Sequence, residues 1–330
     1  MALNSCQILS FMKKYLSFTV IFLVLISCDS KSKKEQEIQA TPISLDIVRF
    51  DKEFAAAEIS DIANLKNQYP QFFPKQFADS VWVNRIQDTL QQELEAEVLK
   101  KFPDNSEIEN QLIPLFKHIK YYFPKFEAPT VYTVTSDVDF NNRVIATDSM
   151  LVVALDTYLG SEHRFYEGIQ QYISRDLKPS QLAPNVAAAY AHQLALKPQK
   201  RMLLEQLIFF GKELYLKDLW LPNVSDAEKI GYTEAELKWA QDNEEYMWRY
   251  FVEKELLYST NPKLSARFIN KAPFSKFYLE IDNESPGMIG RYLGWQIVRA
   301  YMDTNSVSVQ QMLREKPEKI YNNSKYKPKK

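Results

Sequence analysis

The sequence is poor in the residues on which tight turns, disulfide frameworks and metal sites depend. Its 330 residues include 7 glycines, 2 cysteines and 3 histidines. Glycine supplies the positive φ angles that tight β-turns need, so its scarcity favours a helix-rich domain. Both cysteines, Cys6 and Cys28, lie near the front, where the chain carries a processing signal described below. No disulfide is therefore expected within the mature chain.

The three histidines, His118, His163 and His192, are far apart in the sequence. HExxH and CxxC patterns are absent, so neither a metal ion nor another cofactor is predicted. The sequence also lacks GxSxG, Walker and dinucleotide-binding patterns, which would indicate a nucleophile or a phosphate-binding loop. No recognised catalytic motif is present.

The charges are nearly balanced. Lysine and arginine number 41 against 42 aspartates and glutamates, which gives a formal net charge of −1. Without a basic field, nucleic acid is not an expected partner. Hydrophobic residues make up 45% of the chain, enough to fill a sizeable core.

The front of the chain has the organisation of a bacterial lipoprotein signal. Lys13 and Lys14 precede an apolar run at 15–26 that is short for a membrane span, and the run ends in LISC. This tetrapeptide resembles the lipobox, in which Cys28 is lipidated after the signal peptide, residues 1–27, is removed. The lipid would bind the protein to a membrane of the cell envelope, with the domain in the periplasm. Whether this is the inner or the outer membrane stays open.

The rest of the chain divides into a tether, a domain and a tail. Residues 28–41 are polar and predict a flexible tether. Residues 42–320 contain neither an internal repeat nor a Pro/Gly linker, so they are taken as a single globular domain. The basic residues 321–330 predict a flexible tail.

The periodicity of the domain predicts a mostly α-helical α+β fold. β-branched runs between 130 and 156, with a first strand at 43–49, predict a small, mainly antiparallel sheet on which helices pack. Residues 79–102 read as one amphipathic helix. Capping boxes, in which a hydroxyl residue precedes a glutamate by three positions, predict helix starts at Ser106, Ser225 and Thr233.

A helix predicted at 199–222 is apolar on nearly every side, yet it contains Arg201, Glu205 and Lys212. Glu205 lies one turn from Arg201 and two turns from Lys212, so a buried ion pair with either is the simpler interpretation. The other interpretation makes Glu205 a general base with a raised pKa. No neighbouring residue in the sequence supplies the partner that such a base would need.

Three of the glycines lie between Gly287 and Gly294. Ser285 as N-cap and Pro286 at the first helical position predict the start of an apolar helix. Gly290 and Gly294 are four residues apart and share one face of that helix. Such a stripe lets another backbone approach closely, and we prefer this packing role to ligand binding.

Five long blocks carry a family resemblance. They are RFDKEF (49–54), NQYPQFF (67–73), FFGKELYLKDLWLP (209–222), RFINKAPFSKFYLEIDNESPG (267–287) and IGRYLGWQIVRAYM (289–302). These blocks resemble GldB, the gliding-motility lipoprotein family of Bacteroidetes, over nearly the whole mature chain. The resemblance implies a cell-envelope lipoprotein needed for gliding and associated with the machinery that carries type IX secretion.

The GldB family in turn looks like a relative of zinc metallopeptidases of the zincin type, whose active helix carries HExxH beneath a small sheet. In one register, residues 204–208 lie where HExxH stands in those enzymes, so both histidine positions are aliphatic and only Glu205 remains. The resemblance therefore implies a degenerate zincin-like fold without metal ligands. Arg201, Glu205 and Lys212 would outline the remnant of its cleft.

These expectations favour a non-enzymatic scaffold or assembly component of the gliding and type IX secretion machinery. It would be held at the membrane by the lipid on Cys28 and would bind protein partners. The alternative is an envelope hydrolase, either a peptidase or a cell-wall hydrolase, that uses Glu205 in an unrecognised site. A glycan-binding module also stays open because stacking aromatic residues are plentiful, although none has a diagnostic spacing.

Overall fold

The computed structural model describes residues 33–280 and 282–329. The predicted signal peptide and Cys28 lie outside these residues. The chain divides into two compact units with a boundary at Pro42. The described part of the first unit contains helix α1 (Lys33–Gln39), within the segment for which the sequence predicts a flexible tether.

The second unit begins at Ile43 and is mostly helical. Its helices are α2 (Phe50–Ala55), α3 (Ile62–Gln68), α4 (Asp79–Gln87), α5 (Thr89–Lys101), α6 (Ser106–Tyr122), α7 (Gln171–Ser174), α8 (Leu182–Leu194), α9 (Leu203–Trp220), α10 (Asp226–Ile230), α11 (Glu234–Asp242), α12 (Glu244–Glu253), α13 (Lys263–Phe268), α14 (Ile289–Thr304), α15 (Val309–Arg314) and α16 (Pro317–Ser324). Short 3-10 helices lie at Ile59–Asp61, Pro70–Phe72, Leu155–Thr157, Arg164–Tyr166, Pro179–Gln181 and Asp282–Glu284. The strands are β1 (Ile47–Val48), β2 (Thr130–Val134), β3 (Val144–Ala146) and β4 (Met150–Ala154).

The strands form one sheet in the order β1-β2-β4-β3. β1 pairs with β2, and β2 with β4, in parallel, whereas β3 pairs with β4 in the antiparallel sense. The predicted α+β class is confirmed, but the prediction of a mainly antiparallel sheet is wrong. Helices α2 to α6 separate β1 from β2, and a connection of that length permits the crossover that parallel strands need. Only β3 and β4 are joined by a short turn.

The two faces of the sheet contact different sets of side chains. Val131 on β2 and Leu151 on β4 are fully buried and belong to the main core, to which α6, α8, α9 and α14 also contribute. Tyr132 and Val134 belong to a separate hydrophobic cluster. There they pack against aromatic residues of the N-terminal helices, among which Phe50 is central. The alternation of buried and half-buried positions along β2 is the period-two pattern of a strand with two unlike faces.

The helix predicted at 79–102 is interrupted. α4 ends at Gln87, and the carboxylate of Asp88 accepts hydrogen bonds from the backbone N–H groups of Leu90 (2.8 Å) and Gln91 (3.2 Å). Asp88 is thus the N-cap of a second helix, α5. Aspartate competes for backbone donors in this way, and apolar periodicity does not register the resulting break.

The three predicted capping boxes have different outcomes. Thr233 forms the full box with Glu236, and Ser225 accepts a hydrogen bond from the Glu228 N–H as N-cap of α10. Ser106 is instead the first helical residue, and its own N–H donates to the carboxylate of Asp104 at 2.9 Å. The predicted helix start at Ser106 is confirmed, but the predicted capping box there is wrong, because an aspartate two residues earlier supplies the acceptor.

The predicted helix start at Ser285 and Pro286 is also wrong. α14 begins at Ile289, after Met288 at φ 57°. The Ser285 hydroxyl is buried; it donates to the Asp282 carbonyl at 2.7 Å and accepts from the Ser275 N–H at 3.2 Å. Ser285 therefore closes the loop before the helix rather than capping the helix.

The final helix continues past the predicted domain limit at residue 320. α16 ends at Ser324. Beyond it, Tyr326 lies 5.2 Å from the ring of Trp248 and donates its hydroxyl hydrogen to Glu244 at 2.7 Å. Residues within the segment predicted as a tail are therefore packed on α12.

Candidate functional site

Helix α9 contains the charged residues that the sequence analysis singled out. Glu205 is only 4% exposed, and its carboxylate accepts hydrogen bonds from the backbone N–H groups of Gln199 (2.9 Å) and Lys200 (2.5 Å). Among the described residues, no ion pair joins Glu205 to Arg201 or Lys212. The carboxylate instead stabilises the loop that leads into its own helix.

Lys212 forms hydrogen bonds with a different part of the fold. It is 1% exposed, and its Nζ donates to the carbonyls of Leu313 (3.0 Å) and Glu315 (2.8 Å) at the end of α15. Burial lowers its pKa to about 8. Arg201 is exposed and has a left-handed backbone with φ 58° directly before α9. Glu205 and Lys212 therefore bind different parts of the chain, and no hydrogen bond or ion pair among the described residues brings the three predicted cleft residues together.

The structure places Gly294 where α14 packs on α9, and it places Gly290 against Ile269 and Phe268 at the end of α13, with Leu207 of α9 beyond them. A Cβ atom at Gly294 would lie 1.8 Å from the Leu207 carbonyl oxygen, and one at Gly290 would lie 2.8 Å from Ile269 Cδ1. Gly211 lies on the facing helix, where a Cβ would lie 2.2 Å from the Gly294 carbonyl oxygen. The two backbones thus approach as closely as glycine permits, and Gly211 is the member of this crossing that the sequence pattern does not reveal.

A group of buried and half-buried charges lies around α9. We call it the α9 charge cluster, and it consists of Asp176, Glu213, Lys217, Lys271 and Arg291. The Lys217 Nζ donates to the Lys229 carbonyl at 2.7 Å, and Lys271 pairs with Asp176. The Arg291 Nε donates to the Ile269 carbonyl at 2.7 Å, and its guanidinium lies 3.9 Å from the Phe210 ring centroid. The cluster thus joins α9 to the start of α14 and to two loops.

The members of this cluster affect one another electrostatically. Burial lowers the pKa of Lys217 to about 8, against the opposing effect of Glu213. Burial also lowers the pKa of Lys271, opposed by Asp176, and that of Arg291, opposed by Glu213. The cluster therefore brings three cations and two carboxylates together in a partly buried region. The sequence did not reveal the cluster because its residues come from four segments. The charges of Glu213 and Lys217 on an apolar helix were a signal that they have buried partners.

The three histidines bind different groups. His192 Nδ1 lies 2.6 Å from Glu213 Oε1, His163 Nε2 lies 3.5 Å from Glu97 Oε2, and His118 Nδ1 lies 2.9 Å from the Pro114 carbonyl oxygen. Within residues 33–280 and 282–329, no group of three or more His, Cys, Asp or Glu side chains is arranged to hold a metal ion.

The His192–Glu213 pair makes a testable electrostatic prediction. The hydrogen bond to Glu213 raises the pKa of His192, while Lys197 and Arg291 act in the opposite direction. The pair therefore contributes stability that is fully present below the unfolded-state pKa of histidine and is lost as the pH rises through the folded-state pKa. We expect Glu213→Gln to lower the His192 pKa, measured by NMR titration of the imidazole.

The matched control is Glu97→Gln, which removes the carboxylate beside His163 instead. It should leave the His192 titration in place. If the pKa of His192 does not fall in Glu213→Gln, the proposed electrostatic role of the pair is wrong.

A second site lies at the carboxyl ends of the parallel strands β2 and β4. It is a cavity of about 680 Å³, which we call the strand-end groove, and it is lined by Val81, Trp82, Asn84, Arg85, Asp88, Leu90, Gln91, Leu94, Asp137, Val138, Phe140, Phe165 and Ile169. Carboxyl ends of parallel strands are frequent ligand positions because the chain must turn away from the sheet there. Most of the lining is apolar.

One wall of the groove is a loop with an unusual backbone. Asp137 and Val138 both have positive φ, 56° and 58°, which is uncommon for a β-branched residue such as Val138. The fully buried Asp156 holds the loop by accepting hydrogen bonds from the N–H groups of Ser136 (3.0 Å) and Val138 (2.7 Å). Asp137 is thereby presented to Arg85, with which it forms two hydrogen bonds of 2.8 and 2.9 Å.

The fold and its sites define a mostly helical α+β domain with a buried charge cluster and an apolar groove. In the part of the chain that the structure describes, no helix is both long and apolar enough to cross a bilayer. The family model described as gliding motility protein GldB matches residues 31–328, and the chain belongs to that family. The predicted family is therefore confirmed. No curated protein and no solved structure matches the chain.

The predicted likeness to zincin peptidases stays a prediction. The helix packing can be compared with the alignment in which residues 204–208 stand in the place of HExxH. α9, which contains these residues, packs mainly on α14 and α8, and it is α8 that contacts strand β3. An active helix beneath the sheet would therefore correspond to α8 more closely than to α9.

Proposed function

We propose that the chain is a lipid-anchored, non-catalytic component of the gliding apparatus that binds protein partners of the gliding and type IX secretion machinery. Membership of the GldB family supports the role in gliding. The LISC sequence supports anchoring through Cys28 in the cell envelope, with the domain in the periplasm.

The hydrogen bonds of Glu205 support a scaffold function rather than the alternative, a hydrolase. A general base must reach the proton that it abstracts. The Glu205 carboxylate is buried and accepts two backbone hydrogen bonds, and Lys212 is occupied by two carbonyls. Both side chains thus have structural partners, and this observation carries the non-catalytic proposal.

The strand-end groove is the surface that we assign to a partner. Lys212 is buried, so its side chain is not available to a partner. Leu90 (60% exposed) and Val81 line it beside Trp82, and Arg85 and Asp137 add a polar rim. Apolar and aromatic centres with polar rims are characteristic of protein interfaces.

Leu90→Asp tests this assignment. We expect cells that carry only this variant to stop gliding, because a carboxylate would be buried without a partner when the groove is covered. Leu90 is exposed in the isolated domain, so protein level and thermal unfolding should stay close to wild type. Colony spreading and single-cell movement are the measurements, with immunoblotting for protein level.

Leu196→Asp is the matched control. Leu196 is also an exposed leucine, at 41%, and does not line the groove. It should leave gliding intact. Normal gliding with Leu90→Asp at normal protein level would argue against the groove as the partner surface.

A further inference from the structure

A cavity of about 460 Å³ lies beside the C-terminal end of α8. We call it the Tyr190 cavity. Its lining comes from α8, from residues 119–127 at and after the end of α6, and from the turn between β3 and β4. It shares no lining residue with the strand-end groove. The two are therefore distinct surfaces of the domain.

Tyr190 is a buried member of the lining, and its hydroxyl lacks a partner. The residue is 8% exposed, and the hydroxyl forms no hydrogen bond within the part of the chain that the structure describes. Burial raises the pKa of Tyr190, as does the charge of Asp148, so the hydroxyl is neutral and can both donate and accept. Phenylalanine would pack equally well without a buried, unsatisfied polar atom, which costs stability. The hydroxyl therefore indicates a role in binding rather than in packing.

Two aromatic rings fix the position of Tyr190. Its ring centroid lies 5.6 Å from that of Phe126 and 6.1 Å from that of Phe116, both in edge-to-face contact. Phe126 is itself held by a turn in which its N–H donates to the Phe123 carbonyl at 2.8 Å. A rotation that satisfied the Tyr190 hydroxyl elsewhere would break both ring contacts. The hydroxyl is thus fixed in the wall of the cavity.

Three exposed charged residues, Lys125, Glu127 and Asp148, also line the cavity. Among the described residues, none of the three side chains has an ion-pair partner. Two carboxylates against one ammonium give the lining a net negative charge. Aromatic side chains lie beside these charges, and both carboxylates and aromatic rings attract cations.

This lining matches the chemistry of a cationic side chain. The charged end of such a side chain pairs with carboxylates, and its hydrocarbon stem packs on apolar and aromatic surface. Its N–H groups can donate to the oxygen of a neutral hydroxyl such as that of Tyr190. An anion would instead meet more carboxylates than cations in the lining. The volume of the cavity is that of a site for a small ligand or one side chain.

We infer that the Tyr190 cavity binds an arginine or lysine side chain of a partner polypeptide. Asp148 and Glu127 pair with the cation, and the Tyr190 hydroxyl accepts one of its N–H groups. The inference goes beyond the proposed function, because it names a second surface and the chemistry of its ligand. It holds whether or not the strand-end groove binds a partner.

The first measurement is a methyl NMR titration of the full chain, purified in non-ionic detergent, with the capped amino acid Nα-acetyl-arginine methylamide. The δ1-methyl group of Ile119 is the reporter, because Ile119 lines the cavity and is only 1% exposed. We expect a saturable shift. The uncharged analogue Nα-acetyl-citrulline methylamide should bind about tenfold more weakly or worse, because it lacks charge-assisted contacts. Nα-acetyl-lysine methylamide, titrated in parallel, distinguishes the two cations, and the one that binds more tightly is the preferred side chain.

Asp148→Asn tests the carboxylate. It preserves the shape of the side chain and removes its charge, so the cationic probe should bind about tenfold more weakly. Asp303→Asn is the matched control at an exposed aspartate that does not line the cavity, and it should bind the probe as the wild type does.

Tyr190→Phe separates binding from structure. The change keeps the ring and removes the unsatisfied hydroxyl, so the thermal unfolding temperature should equal or exceed that of the wild type. Binding of the cationic probe should nevertheless weaken about threefold, because one hydrogen bond is lost. A wild type without saturable binding, equal binding of the citrulline probe, or an unchanged affinity in either variant would overturn the inference. A less stable Tyr190→Phe protein would also count against it, since the hydroxyl would then have a structural partner.

Discussion

Gly294→Ala is expected to lower the free energy of unfolding by more than about 3 kcal/mol. The added Cβ would lie 1.8 Å from the carbonyl oxygen of Leu207 and 2.4 Å from its carbonyl carbon. Both atoms belong to the backbone of α9, so no side-chain rotation can relieve the contact and the two helices must separate. Alanine is the better helix former by about 1 kcal/mol, so a net loss isolates the steric effect.

Equilibrium urea unfolding followed by far-UV circular dichroism measures this effect. Gly290→Ala is the graded control, because its closest contact is the flexible Cδ1 of Ile269 at 2.8 Å, followed by the Phe268 carbonyl oxygen at 2.9 Å. It should cost less than Gly294→Ala. A Gly294→Ala protein as stable as the wild type would mean that the helices are not held at this distance.

The glycine pattern predicts the close approach of another backbone but not which segment approaches. Two glycines four residues apart predict that a backbone approaches one face of a helix. They do not say which segment approaches, because that depends on the path of the whole chain. Gly211 forms the other side of the crossing with α14, yet a single glycine in an apolar helix has no pattern that identifies it.

The sheet shows a similar division between local and non-local information. β-branched runs located the strands between 130 and 156, and that information is local. Strand direction depends instead on the segments between strands, and α2 to α6 form the crossover through which β1 and β2 pair in parallel. The break at Asp88 is a local feature, but it depends on a side chain that competes for backbone donors rather than on apolar periodicity.

Charged residues were the hardest part of the site to predict. Helical spacing identified the possible ion-pair partners of Glu205, but two N–H groups of the preceding loop bind the carboxylate first. The α9 charge cluster brings Asp176 together with Lys271, which lies 95 residues further along the chain. No spacing rule covers contacts of that range, so the cluster could be described only from the fold.

Asp218→Ala is expected to cost about 3 kcal/mol of unfolding free energy, the second large effect. Asp218 Oδ2 accepts hydrogen bonds from Trp295 Nε1 (2.8 Å) and Arg299 Nε (2.7 Å). Its Oδ1 accepts from Arg299 Nη2 (2.7 Å) and Lys229 Nζ (3.1 Å). Removal of this carboxylate would leave the indole N–H without its acceptor, and it would leave the buried Lys229 and the partly buried Arg299 with Asp226 as their remaining carboxylate. The cost is therefore mainly desolvation.

Asp226→Ala is the control for the Asp218 prediction. Asp226 also pairs with Arg299 and Lys229, but its side chain is more exposed and Asp218 would still bind both cations. Burial raises the pKa of Asp226, but the hydrogen bond and charge of Arg299 lower it further, so the net shift is downward. The contribution of Asp226 to stability is therefore present above its unfolded-state pKa and is lost as the pH falls through its folded-state pKa. At neutral pH, chemical unfolding should therefore show a smaller loss for Asp226→Ala than for Asp218→Ala. Equal losses would mean that the two carboxylates act as one unit, and the bidentate contact of Asp218 would then not be the feature that joins α9 to α14.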